Sequence, residues 1–272
     1  MSVPVETVLD RILEARRRRI EESKARVPLA RLQQSAEEHG NRRDFAAAIS
    51  GATLRVIAEL KQASPSRGIL RQDYQPKEIA SSYEAAGAAA LSVLTEPDYF
   101  RGKLEDLAGA RDAVGLPVLR KDFIVDDYQV YESAAAGADA ILLIVAALAD
   151  NDLKNLIELA RRLKLATLVE VHTEEELRRA QEAGAQIIGV NNRDLKTLGV
   201  DLETSFRLRS KIPSSCLAVS ESGIKAPADM KRLNEAGYDA VLIGERFMTR
   251  PDPGKELAEL LGAASVAARP RV

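Results

Sequence analysis

Eight short runs of largely apolar, β-branched residues recur along the chain, at 54–60, 89–94, 117–121, 139–145, 166–171, 186–191, 216–221 and 239–244. Runs that are apolar at consecutive positions belong to strands covered on both faces. The stretches between them are helix-length, and 153–163 and 174–183 carry apolar residues at three- and four-residue spacing. Strict alternation of strand and helix implies a parallel sheet, because parallel neighbours need a long crossover connection. A glycine stands just before several of the strands, at Gly87, Gly137, Gly184 and Gly237, roughly every second strand–helix unit. Each reads as a helix C-cap within a repeated architecture. Eight such units in a chain of 272 residues predict an α/β fold of the (β/α)8 (TIM) barrel type, whose usual size is about 250 residues. The alternative, a doubly wound open sheet, lacks its Gly-x-Gly-x-x-Gly fingerprint here.

A single domain is expected over 1–272, with 51–272 forming the barrel and 1–50 an N-terminal helical extension. Val8, Ile12, Leu13 and Ile20 predict an amphipathic helix, with the run Arg16 to Arg19 on its solvated side. Leu29, Leu32 and the segment 44–49 predict further short helices packed on the barrel. If these cap the upper rim, they close the site.

In such barrels chemistry gathers at the C-terminal ends of the strands. The strand ends here are unusually polar. Glu59 and Lys61 alternate out of the first run and point the same way; Lys121, Glu170, Asn191 and Ser222 end or follow four others. Opposite charges inside a strand covered on both faces are costly unless they line a polar cavity; a surface ion pair at the strand end is the competing explanation for Glu59 and Lys61 alone. So much charge in one mouth costs stability unless function requires it. Ser64, Ser66 and Gly68 follow the first strand, Gly223 the seventh and Gly244 the eighth, where hydroxyls and open backbone can receive an anion or simply satisfy a turn. Lysines beside carboxylates suggest acid–base work, and an imine-forming mechanism stays open on these grounds.

Composition narrows the partners. Lys plus Arg number 39 against 41 Asp plus Glu, a net charge of −2, so no global field recruits nucleic acid or anionic lipid. No apolar run approaches the roughly 20 residues of a membrane span, and residues 1–6 lack the pattern of a secretory leader. A cytoplasmic location is therefore expected. One cysteine, Cys216, and two histidines, His39 and His172, supply neither a disulfide framework nor a Cys/His zinc site, so no metal is expected. Cys216 reads as a small core residue at a strand start.

The segments 57–68 (IAELKQASPSRG), 91–96 (LSVLTE), 119–124 (LRKDFI), 168–171 (LVEV), 189–195 (GVNNRDL) and 220–224 (SESGI) together resemble indole-3-glycerol-phosphate synthase of tryptophan biosynthesis, in order and on the expected strands. The resemblance runs from the N-terminal helices to about Met248. It implies a single (β/α)8 barrel with an N-terminal helical extension. It also implies closure of 1-(2-carboxyphenylamino)-1-deoxyribulose 5-phosphate to indole-3-glycerol phosphate, with loss of carbon dioxide and water and without metal or organic cofactor. By resemblance, Lys121 is the general acid that protonates the ketone oxygen. Lys61 binds the substrate carboxylate and serves in a later proton transfer. Glu170 stabilises positive charge on the anilino nitrogen or acts as base in the dehydration, with Glu59 assisting. Asn191 and Ser222 orient sugar hydroxyls or their catalytic neighbours. Phe100 and Phe123 pack on the anthranilate ring, or are ordinary rim hydrophobes. Ser64, Gly223, Gly244 and the backbone of Glu245 receive the phosphate, with Arg193 in support. The lysine that serves each intermediate is left open.

One departure is Arg246, where the family usually carries a small residue; it either adds a phosphate contact or reaches solvent. The end at Val272 leaves no room for a fused second barrel, so a monofunctional protein is expected; a monomer is expected too, although no feature of the residue order specifies it. The competing readings are an imine-forming sugar-phosphate aldolase-type barrel and a non-catalytic scaffold, which the intact set of charged residues disfavours. Phosphoribosylanthranilate isomerase chemistry would need a Cys and Asp pair, and Cys216 sits at the wrong end of its strand for that.

Overall fold

A computed structural model describes residues 7–38, 40–195 and 197–264. The leader reading of 1–6, His39 and the chain end at 265–272 lie outside the described residues. Eight parallel strands close into a barrel in sequence order: β1 (Arg55–Leu60), β2 (Ala90–Leu94), β3 (Val118–Lys121), β4 (Ala140–Ile144), β5 (Ala166–Val171), β6 (Ile187–Asn191), β7 (Leu217–Glu221) and β8 (Ala240–Ile243). β1 closes the ring, pairing Ile57 with Ala90 on one side and Ala58 with Ile243 on the other. Each expected run contains its strand, trimmed by at most one residue at either end.

The strand starts follow from how the preceding helices stop. Gly87, Gly137, Gly184 and Gly237 adopt φ of 92°, 86°, 86° and 92°, each directly after a helix capped by alanine. The left-handed conformation is nearly free for glycine, so the helix ends there and the chain turns into the next strand.

Period-two alternation then sorts the barrel interior into layers. Ile57, Leu119, Leu168, Val219 and Ala240 lie in one buried apolar cluster inside the ring. Two residues further along the same inner rows stand Glu59, Lys121, Glu170, Glu221 and Leu242. The barrel is therefore apolar in its lower half and charged at its C-terminal mouth. Outward-facing residues such as Val56, Leu91, Val169 and Val241 join the larger core between strands and helices; Cys216 is buried there with a free thiol.

The N-terminal extension forms α1 (Val8–Arg26), α2 (Leu29–Glu38) and α3 (Phe45–Ile49). Thr7 caps α1, accepting from the Asp10 N–H while the Asp10 carboxylate accepts from the Thr7 N–H. The three helices take different places. α1 lies over the C-terminal rim, with Val8, Leu9 and Ile12 beside Phe100 and Phe123. α2 packs on the helix Asp127–Ala135. α3 seals the opposite end, its Phe45 and Ile49 buried in the lower apolar cluster. Capping of the upper rim by the whole extension is thus corrected to capping by α1.

The run Arg16 to Arg19 is also not simply solvated. Arg16 is 7 % exposed and its Nη2 donates to Asp122 Oδ2 at 2.7 Å. Arg19 makes a two-pronged pair with Asp98 at 2.7 and 2.5 Å. Only Arg17 and Arg18 of the four are exposed. The cause is Asp122, a fully buried carboxylate that also accepts from Thr95 Oγ1, Arg120 Nη2 and the Phe123 N–H. Burial opposes its ionisation, but Arg16 and Arg120 outweigh burial and hold its carboxyl below the usual range. Among the described residues, no helix is long and apolar enough to cross a membrane.

Replacing Arg16 by Met keeps the stem of the side chain but takes one charged donor from Asp122. Stability to urea should fall by about 1.5–3 kcal/mol, the usual worth of a hydrogen bond to a charged group. An unchanged unfolding midpoint would show that α1 is held by apolar contacts alone.

Candidate active site

A cavity of about 680 Å³ opens at the C-terminal mouth of the barrel. Its floor is the charged layer. Lys61 Nζ lies 2.6 Å from Glu59 Oε1, and Lys121 Nζ lies 2.9 Å from Glu170 Oε2 and 3.2 Å from Glu221 Oε2. All five side chains are at most 15 % exposed. Burial disfavours the charge on Lys121, but Glu170, Glu221 and Glu59 outweigh it, so its pKa stands well above that of an ordinary lysine. Burial likewise opposes ionisation of Glu170, yet Lys121 and His172 hold its carboxyl below the usual range. Glu221 behaves in the opposite sense. Neither of its oxygens has an aligned hydrogen-bond partner, and burial, aided by Glu170 and Glu59 against Lys121, pushes its carboxyl up to about 7. Two neighbouring carboxylates with pKa values driven apart are a pattern of acid–base sites.

Two glycines make room for these groups. A Cβ at Gly189 would overlap Glu221 Oε1, and a Cβ at Gly244 would overlap Glu59 Oε1 and stand 2.8 Å from Glu59 Cβ. Any other residue at either position would drive a carboxylate off the floor.

The structure gathers Glu59, Lys61, Lys121, Glu170, Asn191, Ser222, Phe100, Phe123, Arg193, Gly223, Gly244 and Glu245 around this one cavity. Ser64 faces instead a smaller adjoining space of about 80 Å³ under α1, which shares Lys61, Phe100, Phe123, Arg193 and Glu245 as walls. Phe100 and Phe123 stand 6.2 Å apart between centroids, tilted by 39°, and form an aromatic wall. Asn191 hydrogen-bonds Glu170 through its side chain and accepts from the Arg193 N–H at 3.0 Å. Ser222 and Gly223 both have left-handed φ, 66° and 81°, so the chain turns sharply over the rim after β7. Asn192 Nδ2 secures that turn by donating to the carbonyls of Glu221 and Ser222.

The anion side of the mouth holds cations already engaged. Glu245 Oε1 accepts from Arg67 at 2.8 Å and Oε2 from Arg193 Nη2 at 3.3 Å. Arg246 borders the same cavity, partly exposed and already engaged. It pairs with Glu256 at 2.6 Å and donates to the Lys225 carbonyl, because Glu256, on the last helix, faces it.

Glu221 is legible in the sequence as a polar strand end, but neither the residue pattern nor the resemblance assigns it a role in the site. The signal was present, since Asn191 and Glu221 are register partners at the ends of adjacent strands, and both therefore face the mouth. The apolar walls Leu94, Leu142, Ile144 and Leu242 were also legible as inner-row positions. Among the described residues, no group of three or more His, Cys, Asp and Glu side chains is arranged to hold a metal ion.

A family model, described as indole-3-glycerol phosphate synthase, matches residues 9–260. The chain belongs to the indole-3-glycerol phosphate synthase family. A Polaromonas sp. (strain JS666) protein of that description is 50 % identical over 259 residues, covering 94 % of this chain and 98 % of that protein. One from Chloroherpeton thalassium is 50 % identical over 247 residues, covering 89 % and 95 %. Among solved structures, 3-hexulose-6-phosphate synthase superposes with a TM-score of 0.62 at 16 % identity, over 79 % of this chain and all of that one, a likeness of fold alone. The reaction of the chain is accordingly that of an indole-3-glycerol phosphate synthase, a decarboxylating lyase of tryptophan biosynthesis. It closes carboxyphenylaminodeoxyribulose phosphate to indole-3-glycerol phosphate. The geometry also disfavours an imine at Lys121. Lys121, ringed by carboxylates and with a raised pKa, is held as the ammonium, whereas imine formation needs a free amine.

Because the folded state favours the protonated form of Glu221, its contribution to stability is complete below the ordinary 4.5 and is lost as pH rises through about 7. Glu221→Gln should therefore gain stability relative to wild type as the pH of thermal unfolding is raised from about 5 to about 8. A constant difference across that window would place the ionisation elsewhere.

Proposed function

We propose that the synthase reaction is divided among the floor residues as follows. The substrate carboxylate pairs with Lys61, and its aromatic ring lies on the wall of Phe100 and Phe123. This sets the aromatic carbon against the ketone carbon, and the positioning supplies much of the rate. The ketone oxygen becomes strongly basic only as the new carbon–carbon bond forms. Lys121, kept charged by Glu170 and Glu221, then donates its proton to that oxygen. Its high pKa makes it a weak acid toward the resting ketone and a competent one toward the developing alkoxide. Glu170, an ionised carboxylate held by Lys121 and Asn191, stabilises positive charge on the anilino nitrogen as carbon dioxide leaves. In the final dehydration it takes a proton from the carbon next to the anilino nitrogen, while the reprotonated Lys121 gives one to the departing hydroxyl, which leaves as water. Glu221, partly protonated near neutrality, is placed to return a proton to Lys121 between steps. Glu59 holds Lys61.

The phosphate is proposed to lie at the rim between Ser64, Gly223, Gly244 and the Glu245 backbone. There it draws Arg193, and with it Arg67, from the Glu245 carboxylate. Ser222 and Asn191 orient the sugar hydroxyls. The observation that carries this assignment is the convergence on one buried floor of two ammonium groups and three carboxylates.

We further propose that 1–50 and 51–272 act as a single domain, supported by Arg16 on Asp122 and by α3 sealing the barrel floor. We propose a cytoplasmic monomer; among the described residues the exposed large apolar ones, Leu29, Ile69 and Val200, are far apart in the chain. Light scattering showing a dimer would refute the second point.

Lys121→Ala, followed by indole fluorescence with synthetic substrate, should lose kcat by about a thousandfold, within the usual range for general acid–base catalysis, while KM changes little. A large rise in KM with normal kcat would assign Lys121 to binding instead. Arg193→Ala should raise KM by about tenfold with kcat nearly kept, and inorganic phosphate should inhibit it less than wild type.

A further inference from the structure

His172 follows directly after the end of β5, two residues beyond Glu170, with its side chain 12 % exposed. It has a carboxylate on either side. Nδ1 lies 3.0 Å from Glu176 Oε2, which also accepts the His172 backbone N–H at 2.7 Å. Nε2 faces Glu170 Oε1 at 3.4 Å and has no hydrogen-bond partner of its own. The other Glu170 oxygen is engaged by Lys121. A neutral imidazole donates from one nitrogen only, so in either tautomer a lone pair would be turned toward a carboxylate. The imidazolium offers a proton on both sides. Burial opposes that charge, but Glu176, Glu170 and Glu221 outweigh burial and raise the histidine above its ordinary value. The groups that bear on it are Glu170 from the end of β5, Glu176 from the helix Glu174–Glu182 and Glu221 from β7, with Lys121 on the far side of Glu170.

We propose that His172 is a positioning residue for the reaction: as the imidazolium it holds Glu170 Oε1 from behind, leaving Oε2 on Lys121 and the carboxylate ionised and correctly turned toward the substrate. Its own ring does not line the cavity. Glu176 is the outer anchor that keeps the ring in place. The role rests on the proposed reading of Glu170 as a catalytic carboxylate. As pH rises through the titration of His172, the clamp loses its charge, Glu170 is freed to turn, and kcat falls on the alkaline side.

The chain has two histidines, His39 and His172, so a His39→Asn protein shows the His172 ring alone in proton–nitrogen correlation spectra. The ring should carry both protons at neutral pH and titrate above the ordinary 6.5. In Glu170→Gln the midpoint should fall by about half a pH unit or more. A ring that titrates at or below its ordinary value and ignores Glu170→Gln would overturn the pairing.

In turnover, His172→Gln should lower kcat by about tenfold with KM within about twofold, and the alkaline limb of the wild-type kcat profile should disappear. Wild-type kcat, or a loss with the limb unmoved, would overturn the role. Should His172→Gln not fold, Glu176→Gln should move the alkaline limb to lower pH, and an unmoved limb counts against the proposal. Full activity in Glu170→Gln would instead overturn the catalytic reading of Glu170, and with it any part for His172 in turnover; the spectral shift reports the pairing separately.

Discussion

The charge of the Lys121 ammonium, placed inside the barrel between Glu170 and Glu221, is the interaction on which the upper half of the structure depends. Three carboxylates and two ammonium groups occupy a space from which water is largely removed. Isolated, each would be costly to bury. Together they are tolerable because the ends of β1, β3, β5 and β7 bring opposite charges to the same level, and Gly189 and Gly244 leave the volume they need. The stability given up in this layer is recovered from the apolar layer beneath it and from the wider core between strands and helices.

The same arrangement explains how one site can offer acid and base at one pH. Glu170 and Glu221 are chemically identical side chains on nearby strands, both fully buried. Glu170 has an aligned bond from Lys121, a bond from Asn191 and the nearby His172, and stays ionised. Glu221 has proximity to Lys121 without alignment and is driven toward its protonated form. Neighbouring charge first, and hydrogen-bond geometry with it, separates the two where burial does not.

Support for the floor comes from outside the barrel as well as within it. Asp122 follows Lys121 directly and is tied to Arg120 and Thr95 below α1 and to Arg16 on α1 itself. The helix that covers the mouth is therefore bonded to the residue next to the proposed acid. This couples closure of the site to the placement of its chemistry, which a loop held only by apolar contacts would not do.

Much of this was legible in the amino-acid order, for a local reason. Strand length, the glycines after helices and the alternation of side chains are properties of neighbouring residues, so the eight strands and the inward row from Glu59 to Lys61 could be read directly. Asn191 and Ser222 followed because the chemistry of such barrels collects at strand ends. What stayed hidden depends on residues far apart in the chain. Arg16 looks like part of a solvated arginine run until Asp122, 106 positions away, is placed beneath it. Arg246 looks free until Glu256 on the last helix faces it. Glu221 gives no sign of its raised pKa until burial removes its solvent and leaves it without an aligned donor. Residue order by itself determined the barrel and which side chains face its mouth, because both follow from local periodicity. Only the tertiary structure decided which of those charges are paired, and so which are ionised, because electrostatic energy depends on distance and burial and not on separation along the chain.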